Sequence, residues 1–193
     1  ATSYNVIADL KGSEHPEQVV IVSGHLDSWD LGTGAIDDGA GIVVSMETVK
    51  AIKQLGLVPK RTIRMIAWMD EELGGSGGRQ YALDHGNDMA NHFAAIETDL
   101  GAGHAVGINA NGPAEILTLL RPMSNVLASQ GASLLQPGGG GSDIGPLMHG
   151  LRQVSRFAVL GLFGVSVLAA IGAAIVTANA RWFGALASAT LAA

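Results

Sequence analysis

The chain contains no cysteine. That excludes a disulfide framework and any thiolate metal site, so a bound metal has to be held by His, Asp and Glu. Basic residues are scarce as well, and three of them, Arg152, Arg156 and Arg181, lie in a segment, 151–193, that has no acid at all. The residues before it therefore carry 8 basic against 17 acidic side chains, a net charge of −9. A body of that sign lacks the clustered Lys and Arg that phosphate binding needs, so nucleic acid is not expected as a partner, whereas cations suit it. Ala1 is not an initiator Met and no charged segment with an apolar run follows it, so the chain is expected to begin within a longer precursor.

A length of 193 residues has room for one α/β domain with a tail. Asn5–Leu10 and Val19–Ser23 are short apolar runs separated by turn chemistry and read as strands. From Gly41, apolar residues at Ile42, Met46, Val49, Ile52 and Leu55 recur at helical spacing, with Gly56 placed to stop the helix. Arg61–Asp70 reads as a strand, a short helix is expected around Tyr81, and further strands at His92–Thr98 and Ala105–Asn109. Pro113 opens a helix running through Ala128, and Ser142-Asp143 is placed to cap another from Ile144. Strands alternating with helices imply an α/β fold, a parallel or mixed sheet covered on both faces. The expected division is a domain over 1–150 and a tail over 151–193. Within that tail Phe157–Ala178 carries no charge; as a helix it would cover roughly 30 Å, enough to span a bilayer, and the alternative is a buried core helix.

The acidic and imidazole side chains cluster where expected strands end, which is where open α/β sheets place their sites. His25 and Asp27 alternate on an extended chain, so Asp27 can act behind the imidazole and fix its tautomer; a surface hydrogen-bonded pair is the plainer reading. Asp37-Asp38 precedes a helix and could serve its N-terminal dipole. Glu71-Glu72 can divide labour between holding a cation and taking a proton from water, or can form a solvated loop. Asp99 ends a buried strand, where an acid without a partner is costly and a cation resolves the cost. Four such clusters together favour a two-metal site. Trp29 and Trp68 read as packing residues, and His15, His85 and His92 as ordinary exposed histidines; His104 can approach the site, although no motif supports it.

Gly24-His25-Leu26-Asp27-Ser28-Trp29-Asp30, Gly34-Ala35-Ile36-Asp37-Asp38-Gly39-Ala40-Gly41, Glu71-Glu72 and Glu97-Thr98-Asp99 resemble, in order and interval, the zinc exopeptidases of the aminopeptidase Y and plasma glutamate carboxypeptidase family. The resemblance covers about three quarters of the chain. It implies a three-layer, phosphorylase/hydrolase-like mixed sheet flanked by helices, here incomplete at the C-terminus, where the uncharged composition is read as a hydrophobic helix. It also implies two zinc ions: His25 and Asp99 on one, Asp37 bridging, Glu72 on the other, with Glu71 as general base, Asp27 orienting His25 and Asp38 supporting the turn that presents Asp37. The implied activity is hydrolysis of dipeptides or short peptides by a zinc-activated water. One departure stands out. The family's last ligand is a histidine, yet Ile144 follows Asp143 and no histidine occurs after Gly150, leaving His149 as the nearby candidate. The second zinc site thus lacks its imidazole, and the alternative is a non-catalytic metal-binding relative or a truncated or fused fragment. Export is expected by analogy, secreted or periplasmic, with 157–178 as a candidate membrane contact, although Arg152 and Arg156 before that segment point the other way. A homodimer is left open.

Overall fold

The apolar run Val19–Val22 behaves as its composition requires, as a strand buried on both faces. In the computed structural model, which describes residues 2–139, 141–150 and 158–163, β1 (Val6–Leu10) and β2 (His15–His25) are followed by α1 (Gly39–Gln54), β3 (Arg61–Trp68), α2 (Ser76–Asp84), β4 (His92–Thr98), β5 (Gly107–Asn111), α3 (Ile116–Leu127), β6 (Leu134–Pro137), α4 (Gly145–Gly150) and β7 (Ala158–Phe163). The described strands form one seven-stranded sheet in the order β1-β3-β2-β4-β7-β5-β6. β3, β2, β4 and β7 are mutually parallel; β1 on β3 and β5 on β7 are antiparallel. Helices cover both faces. Val44 and Ile52 of α1 and Ile116 and Leu120 of α3 pack with Val22, Ile63 and Ile96 on one side. Tyr81 of α2 and Leu147 of α4 pack with Ile21, Ile66 and Trp68 on the other.

The inward face of α1 is only partly the one its apolar spacing indicates: Ile52 is buried and Ile42 and Val49 pack against the core, but Met46 and Leu55 do not. Its buried residues are Gly41, Val44, Ser45, Thr48 and Ile52, while Met46 and Leu55 are 54% and 65% exposed. The stripe turns toward small residues because the first turn of α1 lies against the end of β4. A side chain on Gly41 would run into the Thr98 carbonyl and the Asp38 carboxylate, so close approach decides the rotation over apolar content. α3 begins at Ile116, three residues beyond Pro113, which supplies its carbonyl to the Ile116 N–H at 2.9 Å.

The C-terminal segment departs further. Residues 158–163 form no part of a helix; they are β7, inserted between β4 and β5, with Ala158–Leu162 opposite Ala94–Thr98. Periodicity does not separate a short uncharged apolar run in a buried strand from one in a buried helix, and here pairing with two strands decides it. The rest of the expected span 157–178 lies outside the described residues. Among the described residues no helix is long and apolar enough to cross a membrane. The sheet thus takes in six residues from the segment set apart as a tail.

His92 is buried rather than exposed, at 2%. Its Nε2 accepts from the Tyr81 hydroxyl at 2.8 Å, and that hydroxyl accepts from Arg64 at 2.8 Å. Arg64 in turn grips both carboxylate oxygens of Asp9. The chain of bonds ties β1, β3, α2 and β4 together. Burial above all holds the His92 imidazole down at about 4, against an ordinary 6.5. Between those values the unfolded chain binds the proton that the fold refuses, so the contribution is complete above pH 6.5 and is lost as pH falls to 4, up to about 3 kcal/mol. Urea unfolding should therefore weaken by about that much more in the wild type than in His92→Asn between pH 7 and pH 4. Parallel pH curves for the two proteins would remove this account.

Candidate metal centre

β3, β2 and β4 lie side by side and run the same way, with Ser23 opposite Ile66 on one neighbour and Glu97 on the other. The residues leaving these three strands therefore emerge at a single edge of the sheet: His25 and Asp27 from β2, Glu71 and Glu72 from β3, Asp99 from β4.

His25, 1% exposed, is the centre of the group. Its Nδ1 donates to the Asp27 main-chain carbonyl at 3.0 Å, which fixes the tautomer and turns Nε2 outward. Nε2 stands 3.0 Å from Asp37 Oδ1 and 3.2 Å from Asp99 Oδ1. The ligating atoms of these three residues lie within 4.8 Å of one another. Burial alone pushes the imidazole down, but the Asp99 hydrogen bond and the charges of Asp99 and Asp38 outweigh it, and the pKa stands at about 10.

Two carboxylates work on main-chain N–H groups. Asp38, 2% exposed, accepts from the His25 N–H at 3.0 Å through Oδ2 and from the Gly41 N–H at 3.0 Å through Oδ1, so it caps α1 while holding the end of β2. Its burial raises its pKa to about 7, against the pull of those two donors. The peptide between Asp37 and Asp38 is cis. Asp27 accepts from the Glu71 N–H at 3.0 Å and the Glu72 N–H at 3.1 Å. The Asp27 carboxylate is 3.7 Å from His25 Nδ1, so its hydrogen bonds go to the acidic pair rather than to the ring.

Glu72 keeps one buried carboxylate oxygen, Oε1, with no hydrogen-bond partner among the described residues, and burial followed by the charge of Asp37 raises its pKa. Two acids that sequence reasoning left without a site role join the group. Glu97 and Asp143 are 1% and 0% exposed, and among the described residues no close hydrogen-bond partner stands at any of their four carboxylate oxygens. Burial pushes both carboxyls up, and the Asp143 charge raises Glu97 further. Asp143 therefore does not cap α4; it sits in the interior beneath the site. Strand alternation offered one signal, since Glu97 shares the face of Ala95, which packs in the core. Trp68 is fully buried as expected, but Trp29, in the loop after β2, is 60% exposed. His15 and His104 are exposed and His85 half-buried. His149 falls in α4, its side chain outside the described residues.

One nitrogen and two carboxylate oxygens around a point form a donor set that suits zinc. A mixed sheet gathering one imidazole and several carboxylates at adjacent strand ends is the architecture of a metal-dependent hydrolase. The chain belongs to peptidase family M28, whose model matches residues 5–144. It is 43% identical over 158 residues to carboxypeptidase Q of Xenopus laevis, covering 81% of this chain and 34% of that protein. With carboxypeptidase Q of Homo sapiens it shares 41% over 142 residues, covering 74% of this chain and 30% of that protein. Among solved structures, a peptidase M28 precursor from Shewanella amazonensis superposes with a TM-score of 0.78 at 36% identity, covering 86% of this chain and 36% of that one. A zinc aminopeptidase from Bacillus subtilis shares the fold, with a TM-score of 0.64 at 24% identity over 82% of this chain and 39% of that one. The chain spans about a third of the length of the curated relatives it matches.

Asp38→Ala strands the buried His25 N–H and removes the cap of α1. Together these should cost about 3 kcal/mol, read as a lower urea midpoint with an unchanged slope. A loss below about 1 kcal/mol would mean that α1 and β2 are fixed by other contacts.

Proposed function

We propose that this chain carries the catalytic part of a zinc-dependent exopeptidase that cleaves dipeptides or short peptides. The observation that supports it most is the placement of His25 Nε2 against Asp37 and Asp99, with Glu71 tethered beside them through Asp27. In this reading His25 and Asp99 would hold one zinc and Glu72 a second, with Asp37 available to both. When bound, zinc supplies Lewis-acid polarisation of the scissile carbonyl and acidifies water at the site.

The chain's own residues do the rest. The Glu71 carboxylate takes the proton from the attacking water and returns it to the leaving amine. His25, locked by the Asp27 carbonyl, keeps Nε2 aimed at the site and needs no reorientation. Asp38 keeps the main chain of His25 from shifting relative to α1. Export from the cytoplasm belongs to the same proposal, supported by the description of the Shewanella amazonensis relative as a precursor.

Zinc content and dipeptide hydrolysis measured on the zinc-loaded chain test the reading, with Glu71→Gln alongside. The expected result is at least one zinc per chain in both proteins and a 10²–10⁴-fold lower kcat in the variant. Zinc bound without hydrolysis would identify a metal-binding relative instead. Equal rates in both proteins would remove Glu71 from the mechanism.

A further inference from the structure

We propose that Asp27 is a positioning residue for the Glu71–Glu72 pair, acting through the main-chain N–H groups of both acids rather than through the imidazole of His25. Three observations converge on it. Each oxygen of the Asp27 carboxylate accepts one of two successive N–H groups, at 3.0 and 3.1 Å. The ring nitrogen that the carboxylate would have to serve is 3.7 Å away and is already bonded to the Asp27 carbonyl at 3.0 Å. The turn being gripped is also one the chain does not adopt cheaply: Asp70, directly before the two acids, has a φ of +68° in a non-glycine residue. Such a turn needs outside bonds to persist, and two consecutive N–H groups aimed at one anion are a compact way to supply them.

The residue thus divides its functions between two parts of the site. Its carbonyl orients His25, a task any residue at position 27 with the same backbone performs. Its side chain sets where Glu71 and Glu72 stand relative to that imidazole, a task that requires two acceptor oxygens on a short arm. An amide supplies one acceptor and turns an N–H donor toward the other N–H group. The consequence for rate rests on the proposed role of Glu71 as base; the clamp itself does not.

The test is Asp27→Asn in the full chain, with Asp27→Glu as the variant that keeps both acceptors. In the metal-free protein, the Glu71 and Glu72 amides should exchange with solvent at least tenfold faster in Asp27→Asn and regain part of their protection in Asp27→Glu. Zinc affinity should match the wild type, because the partner of His25 Nδ1 is retained. If hydrolysis is present, kcat should fall 10–100-fold with KM little changed. Unchanged exchange at both amides would overturn the proposal. So would a 10–100-fold loss of zinc affinity with the amides still protected, since that is the signature of a carboxylate acting on the imidazole. A wild type that binds zinc and hydrolyses nothing would count against the peptidase reading, while amide exchange and zinc affinity would still decide this one.

Discussion

The carboxylate of Asp38, sealed between β2 and α1, accepts the N–H of His25 and the N–H of Gly41, and the geometry of the site follows from that pair of bonds. It fixes the last residue of β2 against the first turn of α1. The helix is thereby held close enough to β4 that only glycine fits at position 41, where a side chain would meet the Thr98 carbonyl. Thr98 is the residue before Asp99. One buried acid therefore sets the spacing between the strand that carries the imidazole and the strand that carries its carboxylate partner, without contacting either functional group. Asp27 repeats the arrangement toward β3, and the two acids together fix three strand ends relative to one another.

The concentration of acid that results is not stable as bare charge. Each unprotonated carboxylate added to a buried group raises the cost of the next. Burial raises Asp38 to about 7 and pushes up both Glu97 and Asp143, while the surrounding acids outweigh burial and raise His25 to about 10, so the group as a whole favours added positive charge. A divalent cation meets the same demand with more charge at the one place where an imidazole and two carboxylates converge. Metal uptake and proton loss are therefore one equilibrium at this site.

Much of this was legible in the sequence. Strand-to-helix alternation gave the layered α/β fold; the clusters at His25, Glu71-Glu72 and Asp99 lay at strand ends that the topology makes neighbours, and Asp37 lay just ahead of α1. What escaped has a common cause. Periodicity reports where apolar residues recur, not how near two elements must come, so it assigned Met46 and Leu55 to a face that Gly41, Ser45 and Thr48 occupy. Residue type reports average exposure, not partners, so His92 looked exposed although Tyr81 and the Asp88 carbonyl satisfy both of its nitrogens. Trp29 looked like packing although its loop leaves it out of the core. Asp143 looked like a cap because its neighbours suit one, and only the tertiary contact with Glu97 removes it from that role.

β7 carries the last of these lessons into the site. β4 is flanked by β2 on one side and β7 on the other. With that second side open, the main-chain groups of Ala94–Thr98 would form a sheet edge immediately before Asp99, with the N–H and C=O groups there left to water or to another chain. β7 pairs with all five of those residues and makes β4 an interior strand, whose last pairs fall immediately before Asp99. The uncharged run 158–163 that suggested a hydrophobic helix therefore serves as an interior strand, paired with β4 on one side and β5 on the other.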